Sequence, residues 1–245
     1  MNKRVACTSV HNEKVMLPIW LSYFSRYFDE LWVLTHNVKD EWMADIRSKY
    51  KFKEREINYG EVFTQNNQDY YVSQFYDDMS KTHDYILYTD VDELVVADPE
   101  KYPGGLGEFI DKADKHHYYC NGYEIYHNKG EEPALDLTKP LLRQRKYWAY
   151  SRSYCKPLLA KERLPWILGF HQLNKDNTWD LVEKQITKDL YLLHLNRMDW
   201  YLAKDRWHYS GMDKATLTDF DYHFRIVNGE EFKLEPLPER FKDII

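Results

Sequence analysis

Several absences narrow the chain before any motif is considered. It has no apolar run of the roughly 18 residues that a membrane-crossing helix requires. Its three cysteines, Cys7, Cys120 and Cys155, are odd in number and widely spaced. They supply neither a disulfide framework nor a zinc cluster, and reduced thiols in a cytoplasmic setting are the simplest reading. Excess positive charge is also missing: 34 Lys and Arg against 40 Asp and Glu give a formal net charge of −6. Bulk charge therefore offers no attraction to nucleic acid. The opening MNKRVACTSVHNE lacks the apolar stretch of a secretory signal, and no repeat, low-complexity tract or Gly/Ser linker is visible. These absences leave a soluble, cytoplasmic chain with no nucleic-acid partner, which could reach a membrane only peripherally.

What is present suits a globular protein. Hydrophobic residues make up 43% of the 245 and charged residues 30%, and a chain of this length can bury roughly 70–75% of its unfolded surface. Aromatic residues reach 16%, with 21 Tyr and 8 Trp. Flat rings fill cores, and they also pack against the apolar faces of pyranoses.

Strand and helix signals alternate over the first third. Arg4 to Val10 reads as a strand, followed by Met16, Trp20, Tyr23, Phe24 and Tyr27 at helical spacing. Leu31 to Thr35 is a continuous apolar run, as for a strand covered on both faces. Trp42, Ile46 and Tyr50 mark a second helix, and Val72, Phe75, Tyr76 and Met79 a third. Tyr85 to Tyr88 is another buried strand, leading directly into Thr89-Asp90-Val91-Asp92-Glu93. This β-α-β-α-(β)-α-β order predicts an α/β fold whose first half, residues 1–97, is a Rossmann-like parallel sheet with crossover helices. The Pro/Gly cluster Lys101 to Gly107 breaks that pattern. Beyond it, HYYCNGYEIYH, PLLRQRKYWAY and CKPLLA read as strands of a mixed half (98–212), and Asp199 to Tyr209 as a helix. Residues 213–245 form a tail in which LEPLPERF wraps the single domain.

The acids after YILY carry the chemistry. Ligands of open α/β sheets bind outside the carboxyl ends of the strands. If the chain stays extended there, Asp90 and Asp92 point to one face. Two hard oxygen donors suit Mg²⁺ or Mn²⁺, which take one or two carboxylates and fill other positions with water and phosphate oxygens. A solvated acidic turn is the alternative, but Leu94, Val95 and Val96 follow, and carboxylates enclosed by apolar runs are costly without a cation or donors.

Thr89-Asp90-Val91-Asp92-Glu93 resembles the DxD motif of GT-A glycosyltransferases, in the D-x-D-E form of family 2-like and family 92-like members. Val10-His11-Asn12-Glu13 with Leu17-Pro18-Ile19-Trp20-Leu21-Ser22-Tyr23 resembles their opening strand, N-E turn and first helix. The resemblance covers residues 4–97 and is patchy afterwards. It implies a GT-A fold, in which a Rossmann-like half joins a mixed sheet flanked by helices. It also implies a UDP- or GDP-sugar donor, a glycan or lipid-linked saccharide acceptor, a role in polysaccharide biosynthesis, and Mn²⁺ or Mg²⁺ on Asp90 and Asp92. Val10, His11, Asn12 and Glu13 would contact base and ribose, with His36 and Asn37 alongside. Asn12 equally suits a helix N-cap and Glu13 a first-turn acid. The same enzymes often take a third metal ligand from a late strand, which points to His194 in YLLHLN. Their G-x-H stretch bordering donor sugar and acceptor points to His171, and the usual position of an inverting base to Asp176. Glu131, Glu132 and Asp136 are the other acids available as a base.

Arg197, Lys204 and Arg206 recur near helical spacing and could clamp a diphosphate, or form a solvated face paired with Asp199 and Asp205. Two other classes remain. A sugar-nucleotide pyrophosphorylase would share the sheet, but usually carries a Gly-rich phosphate loop where this chain has VHNEKVMLP. A non-catalytic carbohydrate-binding module would explain the aromatics but not the acids ending a buried strand.

Overall fold

The structure is a computed structural model and describes residues 2–11, 13–38, 40–58, 65–167, 170–174, 181–182, 185–209, 220–227 and 230–245. It is an α/β protein with a central mixed sheet flanked by helices, as the alternating strand and helix signals predict. The parallel part is built from β1 (Arg4–Val10), β2 (Glu30–Thr35), β3 (Lys53–Glu56) and β4 (Tyr85–Tyr88), in the order β4-β1-β2-β3. Helices α1 (Met16–Phe24), α2 (Asp40–Lys49) and α3 (Gln65–Met79) make the crossovers. All four residues of β4 are buried, which is why its sequence is continuously apolar rather than alternating.

The mixed part grows from the other side of β4. The long strand β6 (His117–Tyr126) is antiparallel to β7 (Tyr147–Tyr150) and to β8 (Pro157–Ala160), and β8 pairs antiparallel with β4. The parallel neighbour of β6 is the late strand β9 (Ile186–His194), which also pairs antiparallel with β5 (Glu93–Ala97). The terminal segment adds a short edge strand, Glu235–Pro236, to β7 and seats Phe241 in the core. Many aromatic residues are core material: Trp20, Tyr23, Phe24, Phe75, Tyr76 and Tyr88 are almost wholly buried. No helix among the described residues is long and apolar enough to cross a membrane.

Strand register positions the site. Val10 pairs with Thr35, so β1 and β2 finish together, and β4 ends on the same side at Tyr88, opposite Cys7. On the mixed side, His194 pairs with Glu93 of β5 and with Glu124 of β6. A histidine about a hundred residues downstream thus arrives beside the acids that follow β4.

Candidate active site

The acidic segment is a turn. The extended continuation assumed from the sequence is not found: β4 stops at Tyr88, and β5 begins at Glu93. Glu93 N–H donates to the Asp90 carbonyl at 3.0 Å and Asp90 N–H to Glu93 Oε2 at 3.2 Å, closing the turn from both ends. The Trp20 indole N–H donates to Thr89 Oγ1 at 2.7 Å and fastens the turn to α1. The two aspartates therefore meet different partners.

Asp90 is the more accessible. Its Oδ2 receives Lys156 Nζ at 3.0 Å, and its Oδ1 receives Gln68 Nε2 at 3.3 Å and Tyr88 OH at 3.2 Å. Lys156 is itself buried and also lies 2.6 Å from Glu93 Oε1. Burial pushes the Glu93 carboxyl up to about 7, against the pull of Lys156. For Lys156, burial disfavours the charge, but Asp90 and Glu93 outweigh it and raise the ammonium above its ordinary range.

Asp92 is buried, and its Oδ2 lies 2.8 Å from Arg206 Nη1 and 3.6 Å from His194 Nε2. Burial opposes its charge; Arg206 and then His194 overcome that and hold it well below the usual carboxylate range. Arg206 comes from α4 (Trp200–Tyr209) and reaches across 193 residues of sequence to Glu13, which it grips at 3.0 Å, and to Asn196 Oδ1 at 2.9 Å. His194 Nδ1 bonds Glu124 Oε2 at 2.8 Å, which leaves Nε2 facing Asp92. The Tyr154 ring stacks on the imidazole at 4.1 Å. Gly122 makes that stacking possible, since a Cβ there would lie 2.3 Å from the Tyr154 carbonyl carbon.

The remaining sequence candidates are placed as follows. Val10, His11, His36 and Asn37 gather at the ends of β1 and β2. His11 Nδ1 is 2.8 Å from the His36 carbonyl, the two rings are 5.7 Å apart, and Asn37, in the left-handed region at φ 47°, touches His36 Nε2. Glu13 precedes α1, so it is not a first-turn acid of that helix. His171 Nδ1 bonds the Ser153 carbonyl, and burial with the nearby Lys156 charge lowers its pKa to about 4. The imidazole is therefore neutral, with Nδ1 as the natural donor and Nε2 as the lone pair. Asn12, Gly169 and Asp176 lie outside the described residues.

The helix Trp200–Tyr209 delivers Arg206 to the acids, while Arg197, which precedes it, and Lys204 have other partners. Arg197 is committed to Glu124 at 2.8 Å and to the Phe224 and Ile226 carbonyls. Lys204 lies 4.8 Å over the Trp200 ring. Glu131, Glu132 and Asp136 are likewise engaged nearby, with Tyr147, with the Asn128 and Lys146 amides, and with Thr138.

Charge accounting tests whether a divalent cation fits. Among the described residues, Glu13, Asp90, Asp92, Glu93 and Glu124 face only Lys156, Arg197 and Arg206 as permanent cations. The negative excess at this largely buried centre is reduced by burial, which raises the Glu93 and Glu13 carboxyls, and by His194, whose imidazolium is favoured by Glu124 and Asp92 against the cost of burial. Asp90, Asp92 and His194 fit Mn²⁺ or Mg²⁺ in kind, and a carboxylate behind the ligand histidine is a common arrangement. In the arrangement described, Lys156 and Arg206 hold the two aspartates, and no three acidic, His or Cys side chains among the described residues are grouped closely enough to enclose an ion.

No protein-family model and no curated protein matches the chain. Among solved structures, it is similar to a protein provisionally named a nucleotide-diphospho-sugar transferase from Desulfovibrio desulfuricans G20, with 12% identity over 51% of this chain and 60% of that one, TM-score 0.29. It is similar to a mycobacterial protein at 13% identity over 97% and 84% of the two chains, TM-score 0.38. A third likeness is to the apo-form glycosyltransferase GlyE of Streptococcus pneumoniae TIGR4, at 15% identity over 55% and 32%, TM-score 0.26. The chain thus spans 60% of the length of the first of these and about a third of the last.

Proposed function

We propose that the chain is a GT-A glycosyltransferase, moving a sugar from a UDP- or GDP-linked donor to a hydroxyl of a glycan or lipid-linked saccharide. One observation carries the reading: two carboxylates of different burial, each facing a cation, sit on a turn at the carboxyl end of a parallel strand, beside an oriented histidine. That edge is where open α/β sheets bind ligands. His11, His36 and Asn37 at the neighbouring strand ends would receive the nucleotide, with Val10 beneath them and Asn12 and Glu13 alongside.

Asp90, Asp92 and His194 would hold Mn²⁺ or Mg²⁺, which when bound neutralises charge on a leaving diphosphate. The chain's own cations have a related task. Arg206 and Lys156 lie where negative charge must be balanced, and either can shift from its carboxylate to a phosphoryl oxygen as the anomeric C–O bond breaks. The acceptor oxygen forms the new bond, and its proton goes to a base. His171, neutral and with Nδ1 held by Ser153, offers Nε2 for that proton, and Asp176 is the other base proposed.

The test is release of UDP or GDP from a panel of nucleotide sugars, with Mn²⁺ or Mg²⁺ present. The reading expects turnover of at least one donor and a loss of about 10²–10³-fold in Asp92→Asn, the usual scale for removing one charge-stabilising group. Turnover unchanged by Asp92→Asn, or no donor consumed by the parent with either cation, would overturn it.

A further inference from the structure

A cleft opens beside α3, next to Gln68 in sequence. It offers about 200 Å³ between Asp69, Tyr70 and Ser73 of α3 and Arg163, Pro165 and Trp166 across from them. That is below the roughly 300–1,000 Å³ of typical small-molecule pockets, and equals the liquid volume of about seven waters. It has room for one sugar ring and not for a nucleotide.

Three features of the walls point to the occupant. Asp69 Oδ1 is closed off from solvent and has no hydrogen-bond partner among the described residues, an arrangement that carries a desolvation cost unless a donor arrives. The terminal torsion of an aspartate is broad, so a small rotation turns that oxygen toward a ligand hydroxyl. Tyr70, 58% exposed, is the most exposed large hydrophobic side chain among the described residues. Its hydroxyl is held by Gln74 at 2.8 Å and its ring stands edge-on to Tyr71 at 5.3 Å, making a fixed platform on the rim. Trp166 is fixed as well, through its indole N–H to the Pro157 carbonyl at 3.1 Å and its ring against Tyr76 and Phe170. Arg163 is engaged by Asp77 at 3.3 Å, so Asp69 gives the cleft an acidic character that disfavours anionic sugars.

We propose that this cleft binds one neutral pyranose unit of the acceptor, with a ring face on Tyr70 or Trp166 and hydroxyls on Asp69. The word acceptor rests on the transferase reading; pyranose binding itself does not. The cleft is one residue along α3 from Gln68, which contacts Asp90, and Phe170 packs between Trp166 and Tyr88 at 5.4 and 4.8 Å.

Saturation-transfer NMR with methyl glucoside, galactoside, mannoside and N-acetylglucosaminide tests this, using the full chain and affinities in the millimolar range. At least one glycoside should receive saturation from the parent protein. The signal should fall at least fivefold in both Asp69→Asn and Tyr70→Ala, with melting temperatures kept within a few degrees. No saturation of any glycoside, or signals that survive in both variants, would overturn the proposal. UDP and GDP binding is read on the same samples. Its absence contradicts the transferase reading and leaves the glycoside result to stand, whereas nucleotide binding without glycoside binding removes only the cleft.

Discussion

Replacing Arg206 by Ala gives the sharpest test of how the candidate site is held together. The guanidinium bridges Asp92 at 2.8 Å and Glu13 at 3.0 Å, with side-chain exposures of 22% for the arginine, 9% for Asp92 and 20% for Glu13. Stranding one partner of a buried pair costs about 3–5 kcal/mol. His194 remains 3.6 Å from Asp92, and the arginine is partly exposed, so about 2–4 kcal/mol is expected. For a domain of this size, 1 kcal/mol moves the melting temperature by about 2–4 °C, giving a drop on the order of 4–16 °C. The account adds a second requirement. With its protein cation gone, Asp92 should bind a divalent ion more readily, so Mn²⁺ should stabilise Arg206→Ala more than the parent, by up to about 2.7 kcal/mol at a hundredfold excess over Kd. Thermal and urea denaturation with and without Mn²⁺ read both effects. A loss below about 0.5 kcal/mol would refute the burial argument. Equal Mn²⁺ shifts in parent and variant would refute the idea that Arg206 and the ion share a carboxylate.

Other perturbations follow from the same geometry. His171 titrates at about 4 when folded and near 6.5 when unfolded, so the unfolded chain gains a proton first as pH falls. Up to about 3 kcal/mol of stability present above pH 6.5 is lost between there and pH 4, and urea titrations of His171→Gln should show a flatter profile across that window. Gly122→Ala places a methyl against the backbone of Tyr154 and Cys155; a loss of about 1–3 kcal/mol or more is expected, and a melting curve within 1 °C of the parent would contradict it. Asp199 accepts the Tyr201 and Leu202 amides with one oxygen and Arg145 with the other, and both side chains are essentially buried. Asp199→Ala should cost about 3–5 kcal/mol and loosen the helix carrying Arg206, seen as faster amide exchange in residues 201–206 ahead of the core strands.

Much of this arrangement was legible in the sequence, and the rest failed for identifiable reasons. β2 and β4 could be read because burial in each is written as an apolar run, Leu31 to Leu34 and Tyr85 to Tyr88. The acidic turn stood out because Asp90 and Asp92 follow such a run. Its shape did not, since a tripeptide of acids and valine is compatible with extended chain, and only the mutual bonds of Asp90 and Glu93 close it. Glu124 was missed although it sits behind His194; its trace was a lone acid inside the aromatic strand HYYCNGYEIYH, a residue that needed a partner. The choice of Arg206 over Arg197 and Lys204 depended on register and helix phase across 193 residues, which spacing along the chain does not encode.

The most direct measurement is calorimetric titration of UDP and GDP into the parent protein and Asp92→Asn, each in Mn²⁺ and in EDTA. The account predicts that one nucleoside diphosphate binds the parent in Mn²⁺ and weakens at least tenfold both in EDTA and in Asp92→Asn, about 1.4 kcal/mol or more. Binding indifferent to the cation and to residue 92, or no binding of either nucleotide, would contradict it.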